Sequence, residues 1–424
     1  MKTKAVRLYG KNDLRLEEFE LPPIKDDEIL AKVVSDSICM STYKATHQAD
    51  THKRVPRDVA QHPVMIGHEF AGEIVEVGRK WQSRFTPGDK FAIQPALFYE
   101  GGPLGVYSSP GYTYPYIGGD ATYIVIPHEV MDQDCLLRYT GEGFYPASLS
   151  EPLSCVIGAM HACYHTHPGS YNHVMEIRPG GKMALLAGVG PMGLACINYI
   201  LHREDVRPSL FVVTDINQER LDRAQRLYTP EFAASRGITL RYLNTASLEN
   251  PVGTLREISG GTGYDEVVVM APVPSVVEQA DDILAYDGCL NFFSGPANAP
   301  FKAPVNFYNV HYASTHLVGT SGGNTDDMRE ALDMMSKGMD PAGLVTHIGG
   351  LASVIDATMN LPSIPGGKKL IYTHVDMPLT AIDDFAAKGE SDPFYAELAR
   401  LCEAHGGLWN IEAEEYLLRN APGL

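Results

Sequence analysis

MALLAGVGPMGLACINYIL, residues 183–201, decides how this chain is read. It opens with an apolar run of strand length, passes through glycines at 188, 190 and 193 in a GxGxxG pattern, and closes on a stretch that is apolar nearly all round. Nineteen uncharged residues raise the question of a membrane span. Gly188, Gly190, Pro191 and Gly193 in the middle answer it, since a strand, a tight turn and a buried helix suit them better; a membrane span is rejected. Small residues in such a turn let the backbone and a helix N-terminus approach a pyrophosphate. The next apolar run, Phe211–Asp215, ends in an acid 22 positions past Gly193. There a carboxylate can accept from an adenosine ribose and repel a 2′-phosphate. Gly188, Gly190, Pro191, Met192, Gly193 and Asp215 are therefore the candidate cofactor residues, with NAD(H) favoured. NADP(H) is the alternative, because Arg220 or Arg223 could hold the extra phosphate. The plainer reading is a glycine turn for strand–helix packing, with Asp215 as a helix N-cap.

Downstream, short buried runs (Leu240–Leu243, Glu266–Met270, Cys289–Phe293) alternate with helix-period stretches such as Asn217–Leu227 and Ser275–Tyr286. Alternation of that kind predicts βαβ units and a doubly wound parallel sheet. Upstream, Ile29–Val34, Glu73–Val77, Lys90–Ile93 and Thr122–Ile126 read as strands separated by Pro and Gly turns, a β-rich region. After about Phe307 the pattern is mixed, and we expect that segment to fold back onto the first region. The expected division is 1–155 for the β-rich part, 156–306 for the dinucleotide-binding part, 307–375 for the return, and a helical extension at 376–424.

At 424 residues the chain has room for two to three domains. With 44% hydrophobic and 20% charged residues, disorder is excluded. The 34 basic against 52 acidic residues leave a net charge of −18, which argues against nucleic-acid binding. Met1–Gly10 lacks the apolar core of a secretory signal. The seven cysteines form no CxxC pair. A cytoplasmic protein with reduced thiols is the expectation.

Cys39, His68 and Glu151 supply a thiolate, an imidazole and a carboxylate, a donor set that suits a catalytic zinc with one position left open. Each alone has an ordinary explanation: a small buried apolar residue, a core histidine, a carboxylate capping or preceding a helix. His161, Cys163, His165 and His167 form a competing group. His161 and His165, at i, i+4, would share a helix face, but the group reads more simply as ordinary surface or interface histidines.

Taken in order, Cys39…Ser41, Gly67-His68-Glu69, Pro87-Gly88-Asp89, Gly118-Gly119, Glu151-Pro152-Leu153 and GVGPMG resemble the zinc-dependent medium-chain dehydrogenase/reductase family over about Lys4 to Val375. The acid at Glu151 resembles its sorbitol-dehydrogenase-like members. A narrower resemblance, to L-sorbose-1-phosphate reductases, rests on STYK from Ser41, EPLSCVIGA from Glu151, GSYNHVM from Gly169, DGCLNFFSGP from Asp287, and NFYNVHY through VGTSGGNTDDM. The family implies an α/β protein with a GroES-like β-rich catalytic domain, built from both chain ends around a Rossmann domain. It implies Cys39, His68 and Glu151 as zinc ligands, Glu69 as an adjacent catalytic acid that can replace Glu151 or sit behind it, and Ser41 as the proton-relaying hydroxyl. It also implies a homo-oligomer, a dimer or tetramer. Lys90–Gln133 contains no cysteine, whereas relatives carry four there for a structural zinc; one catalytic zinc per subunit is expected.

The expected reaction is reduction of a ketose phosphate, L-sorbose 1-phosphate to D-glucitol 6-phosphate, with hydride from the nicotinamide. Such a substrate needs basic groups against the overall negative charge. Lys44 is the first candidate, followed by His52-Lys53-Arg54 and Lys368-Lys369, each of which could equally be a solvated surface group. A dehydrogenase of an unphosphorylated polyol is the enzyme alternative, and a non-catalytic binding protein on the same fold is the alternative of another class. Tyr107, Tyr112, Tyr114 and Tyr116 are expected to pack the cysteine-free lobe.

Overall fold

Strand Lys182–Leu186 lies at the middle of a six-stranded sheet, in which Met183 to Leu186 are fully buried. The chain is described by a computed structural model covering residues 1–297 and 299–424. It divides into two units, one made of Met1–Glu151 with Asn324–Leu424, the other of Pro152–Gly323.

In the second unit the strands lie side by side as Thr239–Asn244, Leu210–Asp215, Lys182–Leu186, Tyr264–Val269, Leu284–Phe292 and His316–Val318. Every neighbouring pair is parallel. Counted along the chain the order is 3-2-1-4-5-6, so winding reverses beside the first strand, a topological switch point. Runs such as Phe211-Val212-Val213 and Val267-Val268-Val269 have no exposure. Parallel strands covered on both faces require that, which is why they read as continuous rather than alternating apolar runs. The unit extends to Gly323, past the expected boundary at 306, because His316–Val318 adds the sixth strand. Among the described residues no helix is long and apolar enough to cross a membrane.

One part of the sequence reading is corrected here. His161 ends the helix Tyr145–His161, and His165 lies in the short strand Tyr164–His165, so the two share no helix face. His165 is buried, with Nε2 2.7 Å from Glu266 Oε1 and Nδ1 2.8 Å from the Asp287 carbonyl. It is a core histidine with both nitrogens engaged.

In the first unit the strand Ile29–Ile38 joins the two chain ends. It pairs with Ala71–Val77 and Tyr123–Ile126, while Ser35–Ile38 pairs antiparallel with Lys369–Tyr372 of strand Lys368–Tyr372. The helices Phe385–Gly389, Pro393–Ala404 and Ile411–Asn420 share a core with Tyr372 and Trp409, so the expected extension is part of this unit. Glu414 ties them down. Its carboxylate accepts from the Phe144 and Tyr145 amides at 2.7 and 2.9 Å and from the Tyr372 hydroxyl at 2.7 Å. Burial nevertheless pushes its carboxyl up to about 7.

Candidate metal centre and dinucleotide turn

The strand Ile29–Ile38 delivers Cys39, which adopts an extended backbone and caps the helix Met40–Gln48. Ser41 and Thr42 follow in the first turn of that helix. His68 and Glu69 arrive from a tight corner. Gly67 sits at φ +88°, and a β-carbon there would lie 2.2 Å from an Asp36 carboxylate oxygen and 2.5 Å from the Asp120 amide. Only glycine fits that corner. Asp36 Oδ1 accepts from the Glu69 amide at 3.0 Å and fixes the segment from behind.

One donor atom each from Cys39, His68 and Glu69 lies within 4.8 Å of the other two. The Ser41 hydroxyl is 3.0 Å from Cys39 Sγ and 3.2 Å from His68 Nε2. On the other ring nitrogen, Thr42 Oγ1 lies 3.2 Å from His68 Nδ1. A hydroxyl there orients the imidazole and leaves Nε2 toward the cluster, the support a metal-bound histidine needs. Burial lowers His68 to about 4 and so keeps the ring neutral, the form that ligates metal. Burial, with Glu69 acting the same way, pushes the Cys39 thiol up to about 12. A dication reverses that bias, since a coordinating thiol is deprotonated outright. Sulfur, nitrogen and oxygen donors in a buried corner fit zinc.

The two candidate carboxylates are placed differently. Glu151 lies outside the convergent set, although its charge bears on Cys39, Tyr112 and Lys368. It neither caps nor precedes a helix but stands inside Tyr145–His161, immediately before Pro152. Glu69 is in the set, and both its oxygens also take the Lys368 ammonium, at 2.5 and 2.6 Å, with Ser37 donating to Oε2. Burial pushes the Glu69 carboxyl up, yet the Lys368 charge and these hydrogen bonds outweigh it and hold the group below its usual range.

Two sequence readings are overturned by this arrangement. Lys368 and Lys369 were candidates for a phosphate, but Lys368 is buried on Glu69 and Lys369 donates to the carbonyls of Pro365 and Gly367 at 3.0 and 2.6 Å. Tyr107 and Tyr116 do not pack the lobe, being 48% and 38% exposed; Tyr112 and Tyr114 do. Tyr112 does more than pack. Its hydroxyl donates to Ser41 Oγ at 2.8 Å and lies 3.2 Å from His68 Nε2. Sequence reasoning missed it as a site residue, and it assigned Lys368 to a phosphate and not to Glu69. The available signals were a tyrosine-rich lobe that lacks cysteine, and a pair of lysines opening the strand Lys368–Tyr372. Lys44 is half-buried on the helix Met40–Gln48, at i+3 from Ser41 and so on the same face.

In the other unit the glycine turn follows Lys182–Leu186 and opens the helix Pro191–His202. Gly193 permits close packing, because a β-carbon there would meet the Gly188 carbonyl oxygen at 2.0 Å. At Gly190, the helix N-cap, an added β-carbon would meet nothing within 4 Å. That glycine therefore borders open space, and Pro191 takes the first position of the helix that follows. Asp215 ends its strand, and its Oδ1 accepts from the Ile216 and Asn217 amides at 2.8 and 3.0 Å. The following helix Gln218–Leu227 is capped by Asn217, which removes the plainer reading of Asp215 as its N-cap.

Residues 25–133 match the family described as alcohol dehydrogenase GroES-like domain, and residues 210–337 the one described as zinc-binding dehydrogenase. The chain is 53% identical to the uncharacterised protein YggP of Escherichia coli (strain K12) over 99% of its own length and 97% of that protein. It is 51% identical to L-sorbose 1-phosphate reductase of Klebsiella pneumoniae, with 99% and 98% covered, and 49% identical to mannitol-1-phosphate 5-dehydrogenase of Aliivibrio fischeri (strain ATCC 700601 / ES114), with 98% and 97% covered. Among solved structures, a zinc-binding dehydrogenase of Sinorhizobium meliloti 1021 bound to NADP superposes with a TM-score of 0.68 at 19% identity, covering 88% of this chain and 99% of that one; at that identity the likeness is one of fold. A GroES-like β-rich unit, a Rossmann-type parallel sheet and relatives at about half identity over nearly the full length place the chain in the zinc-dependent medium-chain dehydrogenase/reductase family of alcohol and polyol dehydrogenases.

Proposed function

We propose that this enzyme reduces a ketose phosphate, L-sorbose 1-phosphate to D-glucitol 6-phosphate, with NAD(H) as the preferred nucleotide and one zinc ion per chain. The observation that carries the chemistry is the convergence of Cys39, His68 and Glu69 with a serine hydroxyl touching two of them. When bound, zinc supplies Lewis acidity to a carbonyl and a reduced nicotinamide supplies the electron pair. Cys39 and His68 would hold the ion, with Glu151 or Glu69 as the carboxylate. Lys368 biases Glu69 toward the supporting place, because its ammonium already neutralises that carboxylate. Ser41 is the chain's own proton-handling group. Its oxygen accepts from Tyr112 and its proton points to the cluster, so it is positioned to hold or pass a proton at the product oxygen.

The lobe 94–117 supports the single-ion reading by being held without cysteine. Ser109 Oγ donates to the Pro95 carbonyl at 2.8 Å, Gln94 Nε2 to that of Asn324 at 2.9 Å, and Thr113 Oγ1 to that of Arg54 at 2.8 Å. NAD(H) is favoured by Asp215 at the end of the second parallel strand. A homo-oligomeric state and a cytoplasmic location remain part of the proposal.

The ketose 1-phosphate reading draws support from the Klebsiella relative. The Aliivibrio relative, of nearly equal identity, favours a second reading. In a 2-ketose 1-phosphate the ester is on the carbon next to the reacting one; a mannitol 1-phosphate oxidised at carbon 5 carries it four carbons away. Nicotinamide absorbance with L-sorbose 1-phosphate, D-fructose 6-phosphate and L-sorbose, each with and without a chelator, decides among them. We expect L-sorbose 1-phosphate to be fastest and the chelator to abolish turnover; a preference for D-fructose 6-phosphate or free L-sorbose overturns the substrate, and chelator-resistant turnover overturns the metal.

A further inference from the structure

The chain carries a net charge of −18, and many of its cations lie beside carboxylates. Lys53 and Arg54 do not. Among the described residues neither has a carboxylate within ion-pair distance, and what they face is aromatic. The Lys53 ammonium lies over the Tyr107 ring at 5.7 Å from its centroid, and the Arg54 guanidinium over the Tyr112 ring at 5.8 Å.

Tyr112 links these cations to the metal centre. Its ring stacks on His52 at 5.9 Å and 17°, leans on His68 at 4.8 Å, and ends in the hydroxyl that meets Ser41 and His68 Nε2. Arg54 thus stands about one aromatic ring from the reacting end of the site. The backbone beneath it is pinned, since its carbonyl accepts from Thr113 Oγ1 at 2.8 Å and its amide donates to His52 Nδ1 at 3.3 Å. Lys44, on the Ser41 face of the helix Met40–Gln48, lies near enough to act on His52. Burial and the repulsion of Arg54 bias the Lys53 ammonium downward, and burial with the same cations keeps His52 neutral at about 4. Positive charge held together without a counter-charge is relieved by an anion. A neutral sugar hydroxyl offers no such relief.

We infer that Arg54, with Lys53 beside it, holds the phosphate ester of the substrate, and that the Tyr112 ring sets the spacing between that ester and the Cys39–His68 centre. The inference rests on the phosphorylated-substrate reading above and names the residues that would make it specific. It moves the anion site from Lys44 alone to the turn after its helix. A guanidinium fork suits a phosphate better than a lone ammonium.

The test uses Arg54→Gln, Lys53→Gln and Arg54→Lys in the full-length enzyme. Isothermal calorimetry with inorganic phosphate reads the anion site without any turnover. Steady-state kinetics read the ratio of kcat/KM for L-sorbose 1-phosphate to that for free L-sorbose. We expect Arg54→Gln to weaken phosphate binding and to lower the specificity ratio, each by about tenfold or more, with Lys53→Gln doing less and Arg54→Lys restoring part of both. Equal losses on the two sugars, phosphate binding unchanged in Arg54→Gln, or phosphate that competes with the nucleotide and not with the ketose would each overturn the assignment. If the unmodified enzyme prefers free L-sorbose, the substrate reading falls, and calorimetry still decides whether Arg54 binds an anion.

Discussion

The two halves of the chemistry are built in opposite ways. In the candidate nucleotide turn, residues 188–193 form one continuous piece, so the parts are neighbours in the chain. In the candidate metal centre, Cys39, His68 with Glu69, Tyr112 and Lys368 come from four stretches brought together by sheet pairing and by the corner at Gly67. A contiguous site depends on local sterics, an assembled one on the register of distant strands. The strand Lys368–Tyr372 shows this plainly: one end places an ammonium on Glu69, and the other places the Tyr372 hydroxyl on Glu414.

Substitutions that strike one half alone test whether the two are as separate as their construction suggests. Cys39→Ala removes the sulfur donor, and turnover should fall by about a thousandfold or more. Elemental analysis should then find almost no zinc, while fluorescence titration finds the affinity for reduced nicotinamide nearly intact; zinc retained at one equivalent would take Cys39 out of the ligand set. Gly193→Val is the converse. With 2.0 Å between an added β-carbon and the Gly188 oxygen, the turn must open. Nucleotide affinity should drop by about a hundredfold with the zinc content preserved, and loss of both together would mean the halves are coupled.

Glu414 sharpens the comparison from the assembled side, through stability. Its carboxyl rises from 4.5 to about 7 in the folded protein, burial outweighing its three hydrogen bonds. Between those values the folded chain binds the proton that the unfolded chain releases. This group's contribution therefore falls as pH rises from about 4.5 to about 7, and the cost is fully present above that. Glu414→Gln should remove the slope, changing the stability difference from the parent by about 3 kcal/mol across the window in denaturant titrations. A constant difference between pH 4.5 and 7 would show that the carboxyl titrates normally. The smallest effect belongs to the contiguous side. Asp215→Ser should raise the NADPH-to-NADH ratio of kcat/KM by about tenfold; an unchanged ratio would leave Asp215 as a turn residue serving the Ile216 and Asn217 amides.

The parallel sheet was legible because its strands are short, wholly apolar and separated by amphipathic helices, a pattern with a single common packing solution. The glycine turn and Asp215 were legible for the same local reason. Cys39 and His68 were candidates by donor chemistry, but their convergence and the role of Ser41 came only by resemblance, since nothing in their spacing says they meet. Glu151 and Glu69 could not be ranked at all: the choice turns on where the Lys368 ammonium lies, some 300 residues along the chain. Tyr112 was read as filler because an aromatic side chain in a lobe gives no hint of what its hydroxyl touches.

What the amino-acid order determined alone is the inventory: a dinucleotide turn, a β-rich partner region, a soft-donor set and an acidic chain with few cations to spare. Tertiary structure decided that Glu69 lies beside the thiol and imidazole and takes the Lys368 ammonium, and that Lys53 and Arg54 face rings with no carboxylate at ion-pair distance among the described residues. Backbone propensity acts over a few residues and can be read in order. The partners of a buried charge are set by strand pairing across the whole chain, and that pairing appears only when the chain is folded.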